Sequence, residues 1–144
     1  MNDPRGGLAE FRSAIRQWIV DHAPPGLSDL ADWNALPAGD GGQRAEQLLE
    51  ATTHGLYRQW NKHFGEARLI CPHWPVEFGG QGWDARQMSI FIEECFRAGV
   101  PRVHRGMGES VVGPSVMAHG TSEQQRRFLP RIISGQDWYC QGFS

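Results

Sequence analysis

Glu93 and Glu94 are the first residues that chemistry would single out, two carboxylates side by side in an apolar stretch. Such a pair works as general acid and base only if both groups reach one substrate atom. Neighbours on a helix point about 100° apart, so these two diverge and read as ion-pairing or solvated side chains. Cys71 with His73, and Cys95 with any histidine, lack the spacing of zinc ligands. Gly79-Gly80-Gln81-Gly82 has neither the G-x-G-x-x-G interval nor a preceding parallel strand, and reads as a turn needing positive φ beside Trp74 and Phe78. No serine sits in a nucleophile elbow. His104 and Arg105 could meet an anionic group, with solvation as the plainer reading. No catalytic residue and no metal ligand is therefore expected here.

The elements that must position these residues are helical. Leu8, Phe11, Ile15, Trp18 and Ile19 recur at helical spacing up to the Pro24-Pro25-Gly26 breaker. A Gly/Pro-rich loop, flexible and with a short turn around Leu30 to Trp33, is expected over about 24–42. A second helix is expected from Arg44 to Glu66, burying Leu48, Leu49, Thr52, Leu56, Trp60 and Phe64, with Gly55 marking close packing or a bend. After the Pro- and Gly-rich stretch from Leu69 to Trp83, Asp84 and Gln87 can cap a third helix, with Met88, Phe91, Ile92, Cys95 and Phe96 as its apolar face. A fourth apolar segment runs from Met107 to Ala118. Thr121 and Gln124 make a capping box for a fifth helix, with Pro130 awkward inside it. Residues Trp138 to Ser144 read as a strand just beginning. The fold class is all-α, about five helices, with residues 1–136 as a helical domain and 137–144 as the first strand of an otherwise absent β-domain.

Composition bounds the function. The 144 residues are 40% hydrophobic and 21% charged, with a net charge of −2. That suits one globular domain and excludes the basic excess of a nucleic-acid binder. No apolar run is long enough to span a bilayer, and no secretory signal opens the chain. Three cysteines at wide intervals suit a reducing cytoplasm. The positive charge is nearly all arginine, Lys62 being the only lysine, a habit of GC-rich bacterial genomes.

Four motifs in order resemble the N-terminal part of the acyl-CoA dehydrogenase family. They are the loop Pro72-His73-Trp74-Pro75-Val76-Glu77-Phe78-Gly79-Gly80-Gln81-Gly82, and the acidic pair Glu93-Glu94 on the next helix. Then come Val112-Gly113-Pro114 with Gly120-Thr121-Ser122-Glu123-Gln124 and Leu129-Pro130-Arg131-Ile132, and last Cys140-Gln141-Gly142-Phe143-Ser144. The resemblance implies that Gln141, Phe143 and Ser144 contact the isoalloxazine ring of FAD. It also implies that Met107, Gly108, Val111 and Val112 line the acyl cavity, where plain core packing is the alternative. The parent reaction would be α,β-desaturation of an acyl-CoA thioester, with electron-transfer flavoprotein as acceptor and a homo- or hetero-oligomeric assembly. The family's catalytic glutamate lies in a later domain, so this chain alone is expected to be inert. A non-catalytic helical subunit completing a partner chain, an acyl-CoA oxidase and a flavin monooxygenase of the same fold remain alternatives.

Overall fold

In the computed structural model, which describes residues 4–34 and 42–142, the chain divides into two units: Met1–His63 with Ala85–Arg102, and Phe64–Asp84 with Val103–Ser144. Helix α1 (Pro4–His22) opens the first unit. Ile15 and Ile19 form its buried stripe, while the His22 Nδ1–H closes its end by donating to the Trp18 carbonyl at 2.8 Å. The chain then makes a 3-10 turn at Leu27–Asp29, slightly earlier than the expected Leu30 to Trp33. Leu27 is buried, and Trp33 Nε1 donates to its carbonyl at 2.9 Å. Trp33 stacks on Tyr57, so the start of the Gly/Pro-rich loop is anchored. The rest of that loop, 35–41, lies outside the described residues.

The expected long second helix is two helices, α2 (Gly42–Thr53) and α3 (Gly55–Glu66). Side chains compete with the backbone at the break. The Thr52 and Thr53 hydroxyls donate to the Leu49 and Glu50 carbonyls, and the His54 Nδ1 accepts the Leu56 N–H at 3.1 Å, capping α3. Gly55 follows at the point of least helix propensity. Trp60 of α3 is wholly buried, with its Nε1–H on the Pro101 carbonyl at 2.8 Å.

Helix α4 (Ala85–Ala98) packs along α1. Its buried face is Ile90, Phe91, Glu94 and Cys95, while Ile92 and Phe96 are 48% and 62% exposed. The expected stripe was thus rotated: hydropathy alone put Ile92 and Phe96 inside, whereas ion pairing puts Glu94 there. Gly99 at φ 67° and the Val100 N–H donating to the Cys95 carbonyl end the helix.

The second unit holds the last turn of α3, a Pro/Gly loop with a 3-10 turn at Val76–Phe78, a π turn at Gly108–Val112, α5 (Gly113–His119) and α6 (Ser122–Ser134). Its core is Phe64, Leu69, Ile70, Cys71, Trp74, Val103, Leu129 and Ile132. Burying each large apolar side chain contributes about 1.5–3 kcal/mol. The expected capping box opens α6. The Thr121 hydroxyl accepts the Gln124 N–H, and the Gln124 amide accepts the Thr121 N–H. The helix runs through Pro130, which is exposed, and ends at Gly135 with φ 77°. Among the described residues there is no strand: 138–142 have no regular secondary structure. No helix of the described residues is long and apolar enough to cross a membrane.

Candidate functional site

The Trp74 loop and the π turn of the second unit explain one another. Trp74 is 1% exposed, and its Nε1–H donates to the Glu109 carbonyl at 3.2 Å. In a regular helix that carbonyl would accept the Gly113 N–H. Gly113 instead donates to the Gly108 carbonyl, one residue further back, which is the π pattern. Pro114 favours the same widening, because its ring would crowd the carbonyl four residues earlier. A Cβ on Gly113 would stand 2.1 Å from Trp74 Cζ2, so only glycine admits the indole there. On the loop side a Cβ on Gly80 would lie 1.9 Å from the Trp74 carbonyl oxygen, and Gly79 turns at φ 96°. The glycines thus serve close packing and turning, and the Trp74 loop and Val112-Gly113-Pro114 motifs are two halves of one contact.

From this support the chain continues into the segment carrying the residues expected to contact a flavin. Asp137 is held by Arg131 through two hydrogen bonds of 2.7 and 2.6 Å, which lower its pKa below the ordinary value. Tyr139 packs where Gly108 has no side chain: a Cβ there would be 3.3 Å from Tyr139 Cδ2 and 3.1 Å from Ile132 Cγ2. Gln141 follows, outside any regular element, and is exposed. Its amide carries both donors and an acceptor, a donor set that fits the polar pyrimidine edge of a flavin; the fit extends to one edge of the ring. Phe143 and Ser144, the other two expected contacts, lie outside the described residues. Of the expected cavity residues, Gly108 is buried in packing, Met107 and Val112 are half-buried, and Val111 is 41% exposed.

Arg105 is the residue that sequence reasoning misplaced. It was expected in solvent beside His104, and only His104 is exposed: Arg105 is 5% exposed, as is Glu109. The Arg105 backbone N–H donates to Glu109 Oε2 at 3.0 Å, and its Nε–H donates to the Ile133 carbonyl at 2.9 Å. Glu109 Oε1 lies 3.8 Å from His73 Nδ1. An arginine between glycine and apolar motifs carries no periodic signal of burial, so pattern reading could not find it.

In the first unit Glu93 and Glu94 are ion-pairing side chains, as expected, although both reach the same Arg12 guanidinium. Glu93 takes the exposed side and pairs with Arg12 at 2.7 Å. Glu94, 2% exposed, receives Arg16 Nε at 2.9 Å and Arg12 Nη1 at 2.8 Å, and these hydrogen bonds, Arg16's first, lower its carboxyl to about 2. The three cysteines are in no disulfide, Cys71 and Cys95 buried and Cys140 exposed.

Such a helical domain, built on the Trp74 loop and leading into an irregular segment, is shared with a known class. The acyl-CoA dehydrogenase N-terminal domain family matches over residues 8–136, and the chain belongs to that family. The acyl-CoA dehydrogenase IpdE1 of Mycolicibacterium smegmatis is 38% identical over 137 residues, covering 95% of this chain and 32% of that protein. IpdE1 of Mycobacterium tuberculosis is 36% identical over 137 residues, 95% of this chain and 33% of that protein. Among solved structures, the Tcur3481-Tcur3483 steroid ACAD matches at TM-score 0.60 and 28% identity, covering 93% of this chain and 30% of that one. The ChsE4-ChsE5 complex from Mycobacterium tuberculosis matches at 0.59 and 29%, over 94% and 29% respectively. The chain spans about a third of the length of the curated relatives it matches.

Proposed function

We propose that the chain is the N-terminal helical part of a flavin-dependent acyl-CoA dehydrogenase that desaturates an acyl-CoA thioester between its α and β carbons. The observation that carries this reading is the family match over residues 8–136, which runs up to the irregular segment where Gln141 stands exposed. In this reading Gln141, Phe143 and Ser144 hold the polar edge of FAD, and Met107, Val111 and Val112 offer apolar surface to the acyl group. Bound FAD supplies the acceptor for the hydride leaving the β carbon. In this reading the chain's own share is to bind and orient. The base that takes the α proton is assigned to the part of the protein that the relatives have beyond this region, and without it the chain is inert.

The match to the Tcur3481-Tcur3483 steroid ACAD favours a bulky, ring-bearing acyl group over a straight chain. The match to the ChsE4-ChsE5 complex favours an assembly with a second, different chain. Electron-transfer flavoprotein is the proposed acceptor, and the mycobacterial relatives support a bacterial, cytoplasmic setting. A visible spectrum together with an intact mass tests the reading. Flavin bands on a polypeptide much longer than 144 residues support it; a colourless protein of 144 residues would leave a helical module that acts by completing a partner.

A further inference from the structure

We infer that Arg105 is a positioning residue that clamps the segment leading to the flavin, an inference that rests on the proposed function. A guanidinium out of water is costly unless its donors are used. Here donors are used on the end of one helix and on the neighbouring His104 carbonyl, while the face of the guanidinium meets the start of the exit segment. The Nε–H is spent on the Ile133 carbonyl in the last turn of α6, where the helix dipole favours a cation. The Nη1 reaches the His104 carbonyl at 3.4 Å. The guanidinium carbon lies 5.8 Å from the centre of the Trp138 ring. Gly135 makes this placement possible: a Cβ there would lie 3.3 Å from Arg105 Nε, and its φ of 77° favours glycine as well. Behind it, the Arg105 backbone is fixed by buried Glu109.

Trp138 is the other end of the clamp. It is 64% exposed, so apolar burial alone does not hold it, and a cation against its face is the contact that does. With Asp137 tied to Arg131 and Tyr139 against Gly108, three consecutive residues are held before the chain turns exposed at Cys140. Arg131 is exposed and its pair is screened by solvent. Arg105 is buried, with its donors fixed on rigid carbonyls, and it therefore sets the direction in which Gln141 leaves the helical unit.

The test uses Arg105→Gln, Arg105→Lys and Trp138→Leu in the flavin-loaded protein. Two quantities are read: amide hydrogen exchange of the 136–142 peptide, and the dissociation constant and absorption envelope of the bound flavin. The clamp predicts that Arg105→Gln and Trp138→Leu speed exchange in that peptide about tenfold while leaving α4 unchanged. Both should weaken flavin binding about fivefold and shift its absorption bands, with Arg105→Lys in between. If Arg105→Gln does not fold, Trp138→Leu decides, since it alters a mostly exposed side chain. Unchanged exchange and unchanged flavin in Trp138→Leu overturn the clamp. A wild-type protein that takes up no flavin overturns the proposed function and the flavin half of this inference, while the exchange measurement still tells whether the clamp exists.

Discussion

Glu94 keeps its charge inside the first unit because Arg12 and Arg16 of α1 reach it from solvent, and the arrangement is asymmetric in its consequences. Removing the carboxylate leaves two partly exposed guanidinium groups that can turn to water or, for Arg12, to Glu93. Removing Arg12 and Arg16 leaves the buried anion with Arg97 alone, 3.9 Å away. Arg12→Ala/Arg16→Ala should therefore cost more stability than Glu94→Gln, which should cost about 1–2 kcal/mol, in denaturant unfolding. The carboxyl sits at about 2 in the folded chain against an ordinary 4.5. Its contribution to stability is complete above about pH 4.5 and is lost as pH falls towards 2, an effect of roughly 2 kcal/mol once the exposure of the arginines is allowed for. Glu94→Gln should flatten the stability profile in that window; a profile identical to wild type would show the ion pairs to be idle. The thiols make a second test at this scale. Burial pushes Cys95 up to about 12, and only Cys140 is exposed. An alkylating reagent should label one thiol in the native chain and all three in denaturant, as read by mass; fast labelling of Cys95 would contradict its burial.

The elements show where sequence reading succeeds and where it stops. Thr121 and Gln124 announced the start of α6 because a capping box is written in residue types at fixed spacing, and the ion-pairing role of Glu93 and Glu94 was legible although their shared partner Arg12 was not. The break at His54 was foreshadowed only by Gly55: the imidazole cap that makes it is a side-chain choice with no periodic trace. Likewise the apolar positions of α4 could be counted but not oriented, since Arg12 and Arg16, some eighty residues earlier, decide that Glu94 faces inward. The π turn was illegible for the same reason, its cause being an indole from a distant loop. That cause can be tested. Gly113→Ala forces a Cβ into the Trp74 ring and should cost about 1–3 kcal/mol. Trp74→Phe leaves the buried Glu109 carbonyl without its donor and should cost about 1–3 kcal/mol in addition to lost packing. Because both act on one contact, thermal unfolding of the double variant should show a cost clearly below the sum. Strict additivity would mean that the indole and the π turn are independent.

At the scale of the whole molecule, four motifs in order revealed the family, and the helical class and the family are what the structure and the relatives show. The site is less complete. Gln141 is exposed, Phe143 and Ser144 lie outside the described residues, and the chain spans about a third of the relatives' length. Substrate, partner and electron acceptor therefore follow from likeness, and activity has to be measured on the full protein. The direct measurement is an anaerobic titration of the flavin-loaded protein with acyl-CoA, followed in the visible spectrum. A dehydrogenase of this family predicts that a steroid-type acyl-CoA bleaches the oxidised flavin band in proportion to the thioester added, with the unsaturated thioester appearing in step. A flavin spectrum that no acyl-CoA alters, or a purified protein that carries no flavin, would contradict the account.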